Sequence, residues 1–185
     1  MARKNSSSAP AMQDLLGQLR ALIASARTQV LRSVDVIQVK TCWEIGRHIV
    51  EFEQGGATRA DYGSKLIPNL AATLTAEFGK GFDSSNLRKM RQFFLYFPIR
   101  DAVRPELSWT HYRILLRVED EQARRWYMNE TAEQNWASRA LERQIGTLYY
   151  ERLLVSQDRE PVQAEALEQI APLQKYPREF VRDPV

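Results

Sequence analysis

The chain has 185 residues, 44% hydrophobic, 26% charged and 10% aromatic, with a formal net charge of +3; this composition describes a soluble globular protein with one core or two small subdomains sharing it, and excludes a disordered chain. No apolar run approaches a bilayer span, the polar start Met1–Pro10 lacks the apolar stretch of a secretory leader, and the single cysteine, Cys42, excludes an internal disulfide and a cysteine-based zinc site, which fits a reducing cytoplasm. The charge is uneven: residues 80–117 hold eight basic and three acidic side chains, whereas residues 118–157 and 158–185 each carry a net −2.

The expected fold is all-α, because no segment sustains the period-two alternation of a strand. Residues 1–12 are expected to form a disordered arm. Leu15, Leu16, Leu19, Leu22, Ile23, Ala26 and Val30 recur at helical spacing and predict a first helix from Gln13 to Leu31. Val36, Val39, Trp43, Ile45, Ile49 and Phe52 predict a second from Val34 to Glu53, ended by Gly55-Gly56. A third begins near Asp61 and carries Leu66, Ile67, Leu70, Leu74 and Phe78. Pro68 lies inside it, so a later start is allowed, because the first turn tolerates proline best.

Gly79 and Gly81 then make a tight turn, and Asp83 or Ser84 can cap a basic helix from Ser84 to Phe97 that Pro98 stops. Ser108 is the expected N-cap of a fifth helix bearing Trp109, Tyr112, Leu115, Leu116 and Val118. A sixth runs from Asp120 to Gln134, Asn135 takes a left-handed turn, and a seventh runs from Ser138 to Val155. From Ser156 the character changes: Gln157 to Pro161 reads as a linker, and Pro172, Pro177 and Pro184 break the remainder. The body is therefore placed at residues 13–155 and a linker at 156–185.

Two segments could read nucleic acid. The first, Asp61 to Phe97, is a helix, a glycine turn and a basic helix. Lys80 stands in its turn, Ser84 at the start of the second helix, and Arg88, Lys89 and Arg91 beyond. Arg88 and Arg91 are three apart and so share a face, Phe93, Phe94 and Phe97 supply the buried side, and the helix N-terminus would favour phosphate oxygens. The second segment, Glu121 to Arg152, turns at Gln134-Asn135-Trp136 and displays Ser138, Arg139, Glu142, Arg143 and Arg152. Here the run Glu119-Asp120-Glu121 would repel phosphate if it faced a groove, and caps the sixth helix otherwise. For each segment the plain alternative is a helical hairpin with a solvated charged face.

Glu44, His48 and Glu51 share one helix at spacings that could hold a metal, but no second helix offers a partner, so an exposed histidine is the better reading. His111 reads as buried and hydrogen-bonded. No phosphate-binding glycine loop, zinc signature, dinucleotide fingerprint or nuclease carboxylate cluster occurs, so no catalytic residue, metal or cofactor is expected.

Several stretches stand in the order of a known pattern: Trp43-Glu44-Ile45-Gly46-Arg47-His48-Ile49, Arg59-Ala60-Asp61-Tyr62-Gly63, Phe78-Gly79-Lys80-Gly81-Phe82, Asn86-Leu87, Met90-Arg91, Phe97-Pro98, Leu107-Ser108-Trp109-Thr110-His111-Tyr112 and Asn135-Trp136-Ala137-Ser138-Arg139-Ala140-Leu141-Glu142-Arg143-Gln144-Ile145. The chain resembles the N-terminal domain of the YhcG family over Leu15 to Leu154. The resemblance implies a helical module with two helix-turn-helix-like units, Phe82 to Phe97 and Asn135 to Ile145, ahead of a PD-(D/E)XK nuclease domain that this chain lacks. The segment Tyr176–Val185 looks like the lead-in to it. Members often carry Gly where Asn135 stands and a capping Ser where Ala137 stands, so the cap is expected to shift to Ser138. The implied function is a non-catalytic module that brings the nuclease to double-stranded DNA. The alternative is a protein-interaction or homodimerisation module built on paired N-terminal helices, whose apolar stripe a single domain does not cover.

Overall fold

A computed structural model of the chain describes residues 8–55, 65–98 and 104–174. Among the described residues there are eight helices and no strand: α1 (Ser8–Gln54), α2 (Leu66–Phe78), α3 (Ser84–Tyr96), α4 (Trp109–Leu115), α5 (Glu121–Glu133), α6 (Ser138–Gly146), α7 (Tyr149–Val155) and α8 (Glu160–Gln174).

The two helices expected between Gln13 and Glu53 are one helix of 47 residues. Nothing between Leu31 and Val34 supplies a glycine, a proline or a competing turn. Ser33, the one residue there able to redirect the backbone, bonds its hydroxyl to the Gln29 carbonyl of its own helix (3.0 Å). Only the last third of α1 enters the core, through Val39, Cys42, Trp43, Ile49 and Val50.

α3 packs on this part of α1. The approach is close because Gly46 has no side chain: a Cβ built there would overlap the Met90 carbonyl. Trp43 Nε1 donates to the Phe97 carbonyl at 2.6 Å, joining α1 to the end of α3. Phe93, Phe97, Trp109 and Tyr112 form an aromatic cluster that carries α4 onto the same core. α2 starts at Leu66, which puts Pro68 third in the helix, where its missing N–H has no intrahelical partner to lose. The earlier start near Asp61 falls outside the described residues, as does the whole motif Arg59 to Gly63.

The helix expected from Ser138 to Val155 breaks in two at Leu148, whose φ of 53° is left-handed. Helical periodicity continues through the break, so the cause is tertiary. The Tyr127 hydroxyl accepts the Tyr150 N–H (3.0 Å) and donates to Glu151 (3.1 Å), fixing the start of α7 from a neighbouring helix.

The segment read as a linker contains α8, so the ordered body extends beyond Val155. Pro161 and the Asp158 carboxylate, which accepts the Glu160 N–H (3.1 Å), start this helix rather than break it. The helix also runs through Pro172 to Gln174, two residues past the expected break. Ala166 and Ile170 are buried against α6, and Gln144 Nε2 donates to the Ala166 carbonyl (2.9 Å). Among the described residues no helix is long and apolar enough to cross a membrane.

Candidate nucleic-acid interface

The glycine turn before α3 is built as the sequence implies. Gly79 and Gly81 have φ values of 80° and 110°, a region that favours residues without a Cβ. Asp83, not Ser84, is the cap, and its carboxylate accepts the N–H groups of Ser85 (2.9 Å) and Asn86 (3.0 Å). This occupies the backbone donors expected to meet phosphate and places a negative charge in front of them. Asn86 donates to the Gly81 carbonyl (2.5 Å) and accepts from Trp109 Nε1 (3.1 Å), which ties the turn to α4. Lys80 stands exposed between the glycines, and Ser84 is half-buried at the start of the helix.

The three basic residues of α3 diverge. Successive residues turn by about 100°. With Leu87, Met90 and Phe93 buried, Arg88 falls near the middle of the exposed side, and Lys89 and Arg91 on opposite flanks. Arg91 reaches back to α1 and pairs with Glu53 at 2.6 Å. Lys89 lies on the other flank, the side on which Gln92 Nε2 donates to the Leu116 carbonyl past the end of α4 (3.3 Å). Partial burial lowers the pKa of its ammonium, and the like charges of Arg113 and Arg117 act in the same direction against the pull of Asp83. Reading the sequence does not single out Arg113 and Arg117. Their signal is present all the same, in a four-residue spacing inside the most basic stretch of the chain.

The second segment is clasped to α4. Asn135 has a φ of 51°, and the Trp136 N–H returns to the Thr131 carbonyl (3.1 Å). His111 is buried as expected. Its Nδ1 accepts the Ser108 N–H (3.1 Å), so Nε2 carries the proton and donates to the Trp136 carbonyl (3.0 Å). Ala137 holds the N-cap position of α6 without a side-chain bond, so the cap does not shift to Ser138, which is the first helical residue. Ala140, Leu141 and Gln144 are buried, and Arg139 and Arg143, one turn apart, share the opposite exposed face. Arg152 is elsewhere, ion-paired with Glu165 of α8. Glu142, at the edge of the exposed face, pairs with Arg117 at 2.7 Å. This ion pair joins the α4 side of α3 to the outer face of α6. The acidic run points its charge into structure: Asp120 accepts from the N–H groups of Gln122 (3.0 Å) and Ala123 (3.4 Å), and Glu121 pairs with Arg125 (2.6 Å).

Other candidate chemistry resolves into packing. Arg47 holds both Glu44 and Glu51 at 2.8 Å, and among the described residues no His, Cys, Asp and Glu group is placed to hold a metal. Burial pushes the Cys42 thiol up to about 12, so it is a core side chain and not a nucleophile. A cavity of about 510 Å³ between α1 and α2 is apolar apart from His48, Asn69 and Thr73 and offers no acid–base pair.

The model of the family described as "DUF1016 N-terminal domain" matches residues 18–152. The chain is similar to "Putative nuclease YhcG" of Escherichia coli (strain K12), 38% identical over 197 residues that cover 88% of this chain and 52% of the relative. It thus spans about half the length of the curated relative it matches. No solved structure matches it.

Proposed function

The chain belongs to the DUF1016 N-terminal domain family, a nuclease-associated family, and from that premise we propose that it is a DNA-binding module, non-catalytic by itself, which brings a nuclease domain in the same polypeptide to double-stranded DNA in the cytoplasm. The observation that carries the reading is the convergence of cationic side chains from three helices at one edge. Lys89 of α3 lies in the field of Arg113 and Arg117, and Arg117 is paired across to α6 beside Arg139 and Arg143. A neutral-to-acidic body with one such edge presents phosphate with a local positive field that the small net charge understates.

In this reading Arg88, Lys89, Arg113 and Arg117 contact the backbone of the duplex, with Lys80 reaching it from the turn. The helix-turn-helix-like unit of α5 and α6 contributes Arg139 and Arg143, with Ser138 in its first turn. Arg91 acts differently: its pair with Glu53 sets the rotation of α3 on α1, and so aims Arg88 and Lys89. A phosphate near Lys89 offsets the repulsion from the two arginines, so the cluster is stabler with DNA than without it. Homodimerisation belongs to the same reading, since two copies present two basic edges.

Anisotropy of a labelled duplex tests this across a salt series. Lys89→Glu with Arg88→Glu should weaken binding at least tenfold at low salt and lower the slope of log K against log salt by about one for each cation removed from the phosphates. Arg139→Glu with Arg143→Glu should weaken binding in the same sense if α6 shares the interface. No binding near 50 mM salt, or binding indifferent to the α3 pair, refutes the proposal.

A further inference from the structure

The first two thirds of α1 have no neighbour that covers their apolar side. Nine large hydrophobic residues from Met12 to Ile37 are between 39% and 66% exposed. They are not scattered: the stripe returns every three or four residues from Met12 through Leu19 and Val30 to Ile37, the repeat that keeps one seam facing a partner helix. A single exposed leucine needs no explanation, whereas an apolar seam running about 39 Å along one helix does.

We propose that this seam is a self-association surface, occupied by α1 of a second copy running antiparallel. The pattern fits itself in that direction. Mirrored about the point between Ala24 and Ser25, Met12 falls opposite Ile37, Leu15 opposite Val34 and Leu19 opposite Val30, with Ile23 near the twofold axis. Such a self-complementary patch is what a twofold interface requires. In a parallel pair, Gln29 and Ser33, which interrupt the stripe, would each face their own copy.

The antiparallel register sets them opposite Arg20 and Leu16. It also holds the two folded bodies, which begin near Val39 on each helix, about 43 Å apart along the pair. Covering the seam removes on the order of 800 Å² from each chain, the area of a standard stable interface. The inference does not rest on DNA binding, and its test contains no DNA.

Light scattering and sedimentation across roughly 1–100 μM protein read the result, a range set by the stability of an interface of this area. The wild-type chain should move from one chain mass to twice that mass as concentration rises. Leu19→Glu with Ile23→Glu should remain at one chain mass throughout, with the tryptophan emission of the body unchanged. Leu22→Lys, also on an exposed position, should do the same and guards against a folding defect in the double variant. Under mild oxidation, Met12→Cys mixed with Ile37→Cys should give the mixed disulfide.

A wild-type chain monomeric at every concentration overturns the proposal, as does a dimer indifferent to these substitutions. Disulfides joining only Met12→Cys to itself overturn the antiparallel register. A monomer whose seam becomes protected only in a longer protein carrying the relative's C-terminal half overturns self-association and assigns the seam to that half instead.

Discussion

Gly46 offers a test in which two physical arguments give opposite signs. Alanine is the better helix former by about 1 kcal/mol, so Gly46→Ala in α1 should stabilise if helix propensity decides. The tertiary structure opposes this. The added Cβ would overlap the Met90 carbonyl carbon and oxygen and lie 3.2 Å from Phe94 Cβ. The first two are backbone atoms inside α3, so no rotamer change relieves them. α1 and α3 must move apart across Val39, Cys42, Trp43, Leu87 and Phe93, all buried. Overpacking of this kind costs about 1–3 kcal/mol or more. After the propensity gain, we expect a net loss of about 2 kcal/mol, a fall in Tm of about 4–8 °C for a chain of this length. Opening the interface should also lengthen the Trp43–Phe97 bond and shift the tryptophan emission. Urea unfolding followed by far-ultraviolet circular dichroism and fluorescence makes the measurement. Gly17→Ala is the control on the same helix, since a Cβ there meets nothing within 4 Å, and it should leave stability unchanged or raise helicity slightly. A Gly46→Ala chain as stable as the wild type would refute the close approach of α1 and α3 on which the placement of the basic helix depends.

The break between α6 and α7 should be improvable. Leu148 is left-handed and more than half exposed, so Leu148→Gly should relieve about 1–2 kcal/mol of backbone strain against up to about 1 kcal/mol of added chain entropy, for a net gain near 0.5 kcal/mol by urea unfolding. Leu148→Ala, which keeps the Cβ, should give no such gain, and a clear loss on Leu148→Gly would show the turn to be unstrained. Glu130 tests linkage in the α5 region. Burial raises its carboxyl above the usual value of 4.5, opposed by the bond from Gln134. The folded state therefore holds this proton more tightly than the unfolded chain, and the contribution to stability is present below that value and lost as pH rises through the folded pKa. Glu130→Gln, which keeps an acceptor for Gln134 Nε2 (2.9 Å), should be more stable than wild type at pH 7 and converge with it in acid. A difference independent of pH would mean that desolvation of this carboxylate is not its source.

Most helices are legible in the sequence because local signals agree with packing. The cap at Asp83, the glycine turn, Ser108 before α4 and the left-handed Asn135 are single-residue chemistry, and each is found in place. The elements that differ share a cause. In α1 the apolar periodicity merely drifts in phase near Ser33, which mimics a join although no turn former is present. Conversely, nothing local marks the break at Leu148, because the group that creates it, the Tyr127 hydroxyl, belongs to another helix. α8 is hidden because a proline can start a helix as readily as stop one. The sign is decided by what the apolar side of the segment meets, here Gln144 and the outer wall of α6.

The candidate site is legible in composition but not in geometry. The excess of positive charge in residues 80–117 is real, and sequence spacing assigns it to one helix face. Three residues of separation do put Arg88 and Arg91 on one side of an isolated helix. In the folded chain, however, a carboxylate on α1 claims Arg91, while Lys89, the odd member by spacing, faces two arginines that come later in the chain. The motif residues behave likewise. Trp43, Asn86, His111 and Trp136 hold α1, α3, α4 and the α6 turn together through buried or half-buried hydrogen bonds, so their pattern marks the frame and not the contact surface. The side chains proposed to meet DNA lie just outside these clasps. Moving a clasp should therefore disturb binding only through stability, whereas reversing Arg88 and Lys89 should disturb binding with the fold intact, and that difference separates the frame from the interface.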